Sequence, residues 1–275
     1  MFSFSVISLV LFAAFLSESS MDLPYDREPD EAGIEIKWHW EDNFSSEEKM
    51  KVKNWLNSVS SAVEFTLGTY PFDLHFHIYN RGDSREPVPW ANTIRHSGQG
   101  VNFHIDPSHS LESFLEDWTA PHEISHLSLP YLGTENAWFA EGYASFLQYQ
   151  VMEEMGIYSA AEVEAMYKNK MSMALPYYQG DQDMVSKAKS LRKGHRYPQM
   201  YWGSASFFIR LDQGLQNDYG IRLTELIKKY QDCCRMDDQS IGEVIASWDR
   251  LLDGNACSEL MEIFETAPAS SNWLQ

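Results

Sequence analysis

Hydrophobic and polar residues alternate in three short stretches of the first part of the chain. Residues 34–40, 73–79 and 101–106 each place apolar side chains at every second position. A period of two residues is typical of a β-strand that buries one face, so we expect three strands, the second paired with the first. Residues 81–100 carry Gly, Pro and Asn, which predicts a loop with a hairpin.

Helical spacing dominates elsewhere. A first helix is predicted from a capping Ser45 or Ser46, followed by Glu47 and Glu48, up to Gly68. Later stretches with apolar residues every three to four positions predict seven more helices, at 111–118, 138–155, 160–171, 201–215, 223–230, 241–251 and 257–264. A few strands followed by many helices predict an α+β fold.

The length of the chain also bounds its organisation. With 275 residues, of which 44% are hydrophobic, the chain can bury a large core. We expect a single domain over residues 34–275, in which a small sheet lobe at 34–108 packs on a mostly helical lobe at 109–275. Ligands favour the crevice between such lobes.

Two histidines in the second predicted strand share one face. His75 and His77 should point to one side of the strand, and Phe76 and Ile78 to the other. A pair of histidines two positions apart can contribute to a metal site, but no third ligand is close in sequence. An exposed polar face is therefore the favoured interpretation.

The N-terminal residues have the composition of an export signal. Residues 2–16 are apolar or small and polar, and an acidic segment with prolines follows. Such a run is too short to span a bilayer comfortably, so we expect a cleaved signal peptide at 1–20, an extended lead-in at 21–33, and a secreted or periplasmic protein. Because no Lys or Arg precedes the run, an uncleaved membrane anchor is the alternative.

The charge of the chain excludes one class of partner. The formal net charge is -19, with 40 Asp and Glu against 21 Lys and Arg. An acidic surface repels phosphates, and the basic segment at 187–196 is too short to reverse this, so no nucleic-acid partner is expected. The aromatic content of 14% indicates a folded body instead of a disordered acidic chain.

Three cysteines leave two alternatives. Cys233 and Cys234 are adjacent, and Cys257 follows in a later helix. One of the adjacent pair could form a disulfide with Cys257, or all three could be buried thiols. No C-x-x-C pair is present, so a cysteine zinc site is not predicted.

The stretch His-Glu-Ile-Ser-His at 122–126 carries the candidate chemistry. On a helix, His122 and His126 share one face and can bind a single zinc ion. Glu123 then lies beside the metal, where a carboxylate can take a proton from a zinc-activated water. The stretch therefore predicts both a metal and a reaction class.

Two helices should carry this site. Pro121 lacks the N–H of an interior helical residue, so the motif helix should begin nearby with Thr119 as its cap, unless a kinked helix runs through. A catalytic zinc needs a third protein ligand and an open position. Glu141 is the candidate, because a helix capped by Thr134 can fold back and present it to the same metal.

The surrounding letters resemble a known family. Pro-His-Glu-Ile-Ser-His-Leu at 121–127, followed by Trp-Phe-Ala-Glu-Gly-Tyr-Ala-Ser-Phe at 138–146, looks like the gluzincin metallopeptidases. The likeness is to the peptidase MA-like families related to aminopeptidase N and glycyl aminopeptidase. It implies a zincin-like fold and one catalytic Zn²⁺ held by His122, His126 and Glu141.

A second block extends the resemblance. Residues 201–212 are similar to the Y-x-K-G-A…L-D helix of those enzymes, whose tyrosine stabilises the oxyanion of the reaction. Tyr201 falls on that position, with Tyr197 in reserve. Gly203 and Ser204 depart from the basic residue and the glycine of the family, and the alternative is that Tyr201 only begins a buried amphipathic helix.

The resemblance implies an exported zinc-dependent metallopeptidase that hydrolyses peptide or protein substrates, with Glu123 as general base and Tyr201 as oxyanion partner. No G-x-M-E-N segment precedes the motif, so aminopeptidase action is not implied, and endopeptidase or exopeptidase action stays open. In the wider group an edge strand beside the cleft binds the substrate backbone, and residues 101–106 are the candidate.

Two alternatives concern other roles. His195 and Arg196 could bind a substrate carboxylate, although a solvated loop is the favoured interpretation. The whole protein could also be an exported, non-enzymatic binding protein that retains a structural or vestigial zinc site, which predicts a closed tetrahedral site. The sequence makes no prediction of the oligomeric state.

Overall fold

The computed structural model describes residues 35–95 and 98–269. The predicted signal peptide and lead-in lie outside these residues. Within them the elements are β1 Ile36–Trp40, α1 Ser46–Leu67, β2 Leu74–Asn80, β3 Trp90–Ile94, β4 Gln99–Ile105, α2 Leu111–Leu115, α3 Thr119–His126, α4 Ala137–Glu154, α5 Ala160–Ala174, α6 Met184–Lys193, α7 Tyr197–Tyr219, α8 Leu223–Cys233, α9 Ile241–Leu252 and α10 Ala256–Thr266. The predicted α+β fold class is confirmed. No helix of this described part is both long and apolar enough to cross a membrane.

The four strands form one sheet in the order β1-β2-β4-β3. β1, β2 and β4 run parallel, and β3 runs antiparallel to β4. The predicted pairing of the first two strands is confirmed, with Trp38 opposite Phe76. β3 and β4 pair antiparallel, as expected for the hairpin predicted within residues 81–100.

The expectation that residues 101–106 form an edge strand is wrong. β4 pairs with β2 on one side and with β3 on the other, so its backbone is not free to bind a ligand. β3 is the edge at this end of the sheet. The sequence did not reveal this strand because only Ala91 of β3 is buried, so the hydrophobic alternation of a half-buried strand is missing.

One face of the sheet packs on α1. Phe76 and Phe103 are fully buried, and the Phe103 ring meets Trp55 of α1 edge to face with centroids 5.4 Å apart. α1 itself begins at the capping box of Ser45 and Glu48 and ends at Gly68. These contacts build the core that supports the helices around the site.

The other face of the sheet carries the histidines. His75 and His77 point to this partly exposed face, as predicted. His39 of β1 joins them, with its Nε2 atom 3.1 Å from Nδ1 of His75, and His77 contacts Glu41 at 2.6 Å. Because these side chains are engaged with one another, the polar-face interpretation fits the structure.

The predicted caps of the two motif helices are wrong. α3 follows α2 as a separate helix, but it starts at Thr119 itself, with Trp118 in the cap position. The Thr119 N–H donates to Asp117 Oδ1 at 2.8 Å, so the aspartate serves as the local acceptor. Thr134 begins a short 3₁₀ turn, Thr134–Asn136, that leads into α4 without a side-chain cap.

Two helices after α5 differ from the prediction. α7 begins at Tyr197, not at Tyr201, because Pro198 can occupy the first turn of a helix. α6 was not predicted, although Asp183 caps it and it buries Met184, Val185, Ala188 and Leu191 at helical spacing. Its many basic residues hid this short apolar face.

Neither alternative for the cysteines is correct. Cys233 and Cys234 form a disulfide with each other, and Cys257 is a free thiol. Cys257 is fully buried beside Asp249, whose Oδ1 atom accepts from the Cys257 N–H at 2.8 Å. Because Cys233 and Cys234 are bonded to each other, neither is available to form a disulfide with Cys257.

Thiol labelling checks this arrangement. We expect unreduced protein to bind no alkylating reagent at Cys257 while folded, because the side chain is fully buried, and burial raises the pKa of its thiol. After denaturation without reductant, one label per chain should appear, on Cys257. A label on Cys233 or Cys234 instead, identified by peptide mass spectrometry, would contradict the adjacent disulfide.

Candidate metal centre and cleft

Three side chains from two helices converge on one point. His122 and His126 lie one turn apart on α3, and Glu141 lies near the start of α4. The Glu141 Oε2 atom is 3.2 Å from His122 Nε2 and 3.6 Å from His126 Nε2. One ligand atom from each residue lies within 4.8 Å of the other two, a distance at which the group could hold a metal ion. It is the one such group found among the described residues.

The charges of this group support one another. Burial alone would lower the pKa of His122 and raise that of Glu141. Their hydrogen bond and mutual attraction outweigh this effect, so the pKa of His122 is raised and that of Glu141 is lowered. Glu141 is therefore ionised, which is the form in which a carboxylate binds a metal.

Gln148 orients the first histidine. Its Oε1 atom lies 2.9 Å from His122 Nδ1, and because an amide oxygen can only accept, the Nδ1–H donates to it. The Nε2 atom is thereby directed at Glu141. Gln148 and Glu141 are seven positions apart and share a face of α4. Gln148 was not predicted as part of the site, although its spacing from Glu141 is a usable signal.

Glu123 lies beside the three converging residues. It follows His122 on α3 and lines the same cleft. Burial raises the pKa of Glu123, and the attraction of His126 and His122 offsets only part of that rise. A carboxylate with a raised pKa is a better proton acceptor.

Tyr201 reaches the group from α7. Its ring centroid lies 6.1 Å from that of His122, and its side chain lines the same cleft. Burial, followed by the charges of Glu141 and Glu123, raises the pKa of Tyr201, so it stays protonated and can donate. Tyr197 is exposed and contacts His195 at 3.1 Å, and neither residue lines the cleft.

Glycines set how closely the helices approach. A Cβ atom at Gly142 would lie 2.7 Å from the Ser204 carbonyl carbon and 2.9 Å from the Ala205 nitrogen. The absence of a side chain beside Glu141 therefore lets α7 pack directly on α4. Gly203 similarly leaves room for the ring of Tyr178, 2.1 Å from where its Cβ would lie, so no larger side chain fits at this position.

The C-terminal end of α3 is anchored by side chains from distant parts of the fold. Helix ends leave backbone carbonyls without intrahelical partners, and burying them unpaired is costly. Here six consecutive carbonyls each accept from a side chain: Ile124 from Tyr70, Ser125 from Ser128, His126 and Leu129 from Arg95, Leu127 from Arg235, and Ser128 from Gln231. These hydrogen bonds thereby fix the position of His126 at the end of α3. Except for Ser128, these donors lie too far along the chain for the sequence to reveal them.

An open cleft of about 730 Å³ exposes this group to solvent. β3 forms one wall, and α3, α4 and the loop between them form the floor. Three exposed aromatic side chains line it: Trp90 at 55%, Trp118 at 47% and Tyr131 at 59% exposure. Large exposed apolar surfaces beside a polar group are typical of a binding site.

The comparisons with known proteins bear on the fold. No family model matches the chain, and no curated protein matches it in sequence. Among solved structures, an aminopeptidase N family protein from Idiomarina loihiensis is similar, with a TM-score of 0.59 and 15% sequence identity. The match covers 86% of this chain and 46% of that one, so this chain spans less than half the length of that protein. At this identity the likeness describes the fold.

Proposed function

We propose that this protein is an exported zinc-dependent metallopeptidase that hydrolyses peptide bonds in the cleft. The observation that carries the proposal is the convergence of His122, His126 and Glu141 with Glu123 beside them. The gluzincin-like sequence pattern and the fold of the aminopeptidase N family protein support it. Export rests on the composition of residues 1–20.

The residues present fit a zinc ion. Two imidazoles and one carboxylate are a ligand set of catalytic zinc sites, which keep one further position open. Gln148 orients the His122 ring, as partners of metal-bound histidines commonly do. When bound there, zinc would act as a Lewis acid that lowers the pKa of water.

Each remaining side chain has one task in this mechanism. Glu123 accepts the proton of the attacking water and passes it to the departing amine. Tyr201 donates a hydrogen bond to the oxygen of the substrate carbonyl as negative charge develops on it. β3 is an edge strand of the sheet that the described residues form, and an extended peptide can lie along it.

Metal analysis combined with a mixed peptide library tests the proposal. We expect one zinc per purified chain, peptide cleavage detected by mass spectrometry, loss of cleavage with a zinc chelator, and recovery when zinc is returned. His126→Gln should lose zinc and cleavage. His77→Gln, a matched change on the outer sheet face, should keep both.

Two outcomes would contradict the proposal in different ways. Failure of the purified protein to retain zinc after loading would rule out the proposed metal centre. Stable zinc binding without cleavage of any library peptide would favour the non-enzymatic binding protein instead. The cleavage positions of an active protein would show whether it trims ends or cuts internally.

A further inference from the structure

The charged side chains that line the cleft are not evenly distributed. Glu86, Glu116 and Asp117 bring negative charge near β3 and the turn before α3, and the two arginines of the lining are Arg95 and Arg192. The cations determine which anionic groups the cleft can accept. The two arginines differ in whether their N–H donors already have partners in the protein.

The two terminal nitrogens of Arg95 are engaged by the protein, and its Nε atom is buried without a partner among the described residues. Its guanidinium donates to Gln99 Oε1 at 3.0 Å and to the carbonyls of Leu129 and His126 at 2.9 and 2.7 Å. It is also largely enclosed, and burial lowers its pKa to about 10. Arg95 therefore supports α3 and has little capacity left for a ligand.

Arg192 is different. It lies in the last turn of α6, is partly buried, and lines the cleft. No hydrogen bond, ion pair or ring contact joins its side chain to any residue in the described part of the chain. A guanidinium presents five N–H donors in a planar fork that matches a carboxylate, so Arg192 has its binding capacity free.

The surroundings of Arg192 also favour an anion. The protein carries a formal net charge of -19, yet Lys187, Lys189 and Lys193 lie on the same helix as Arg192. With these lysines and no acidic residue, α6 carries a net positive charge, opposite in sign to that of the molecule as a whole. A negative group is therefore attracted to this side of the cleft.

We propose that Arg192 binds a carboxylate of the peptide substrate, and this rests on the proposed function. The carboxylate is either the C-terminus of a short peptide or an Asp or Glu side chain, since both present the same two oxygens to the guanidinium. Arg192 is a specificity-determining residue in this role. It sets which peptides bind well and leaves the hydrolysis itself to the metal centre.

Matched peptides test the assignment. One pair shares a sequence and ends in a free carboxylate or an amide, and a second pair ends in an amide and carries Glu or Gln internally. We expect the parent to cleave one acidic member with a KM about tenfold lower than its neutral partner, since a hydrogen bond to a charged group has about this effect. The kcat values should be similar. The pair whose two members differ in KM shows whether Arg192 binds the C-terminal carboxylate or a Glu side chain.

Variants assign the preference to this side chain. Arg192→Gln should raise KM for the preferred acidic peptide to the value of its neutral partner and leave the neutral peptide unchanged. Arg192→Lys should restore part of the preference, because an ammonium lacks the two-pronged geometry. Lys168→Gln removes an exposed positive charge on α5, outside the cleft lining, and should keep the preference.

Binding without turnover separates this proposal from the proposed function. Fluorescence polarisation with the same labelled peptides can be measured on Glu123→Gln protein, with and without Arg192→Gln. Tighter binding of one acidic peptide that disappears with Arg192→Gln supports the assignment, even if the parent cleaves nothing. Equal binding of both members of each pair, or a preference that survives Arg192→Gln, overturns it, even if the parent is an active peptidase.

Discussion

Replacing Glu123 by Gln is expected to reduce kcat by about a hundredfold to ten-thousandfold, the usual contribution of a general base. Glutamine has nearly the same shape but cannot accept the proton of the attacking water. Glu123 is not among the three residues that converge on the metal position, so the variant should bind one zinc per chain as the parent does. Metal content and single-substrate kinetics on the same preparation measure both quantities.

The control for this variant is a carboxylate outside the cleft. Glu135 is exposed and does not line the cleft, so Glu135→Gln should keep both zinc and activity. Cleavage by Glu123→Gln at the parental rate, with zinc retained, would exclude Glu123 as the base. Loss of zinc in this variant would instead show that the carboxylate helps to hold the metal.

Replacing Gly142 by Ala is expected to destabilise the protein by about 1–3 kcal/mol, as overpacking of a core commonly does. The added Cβ would lie 2.7 Å from the Ser204 carbonyl carbon. The atoms that must move belong to the backbone of α7, so a rotamer change cannot relieve the contact. Thermal unfolding should show a melting temperature lower by roughly 2–4 °C per kcal/mol.

Activity should fall as well, because Glu141 and Tyr201 sit on the two helices that would separate. A shift of about 1 Å in a catalytic group can cost roughly a hundredfold in rate. The control is Gly214→Ala on α7, where an added Cβ meets no atom within 4 Å. That change should stabilise the protein by about 0.5–1 kcal/mol, since Gly is unfavourable inside a helix. Melting of Gly142→Ala at or above the parental temperature would contradict the close-packing argument.

The parts of the site that could be predicted depend on short-range periodicity. His122 and His126 share a helix face because of their spacing alone, and Glu141 falls on a second strongly helical stretch. The same logic gave α1 and the strand pairing of β1 with β2. In each case the local pattern and the tertiary structure demand the same conformation.

The parts that could not be predicted depend on contacts between distant segments. Arg95, Gln231 and Arg235 satisfy the carbonyls at the end of α3, and no local pattern identifies their acceptors. The predicted cap of α3 failed for a local reason instead, since Trp118 holds the cap position and the Thr119 N–H donates to Asp117. The pairing of Cys233 with Cys234 likewise depends on the backbone geometry at the end of α8 and not on a spacing rule.

Because β3 lies at the edge of the sheet, its side chains contribute to the cleft more than to the stability of the fold. β2 buries side chains at alternate positions and β4 buries five of its seven residues, so changes there act on the free energy of unfolding. β3 buries only Ala91, and Trp90, Ala91, Asn92 and Thr93 line the cleft. Its other positions can therefore accumulate substitutions at little cost to folding. The wall of the cleft is thus mutationally tolerant, and this strand offers a place where substrate preference can evolve, or be redesigned, while the core is kept.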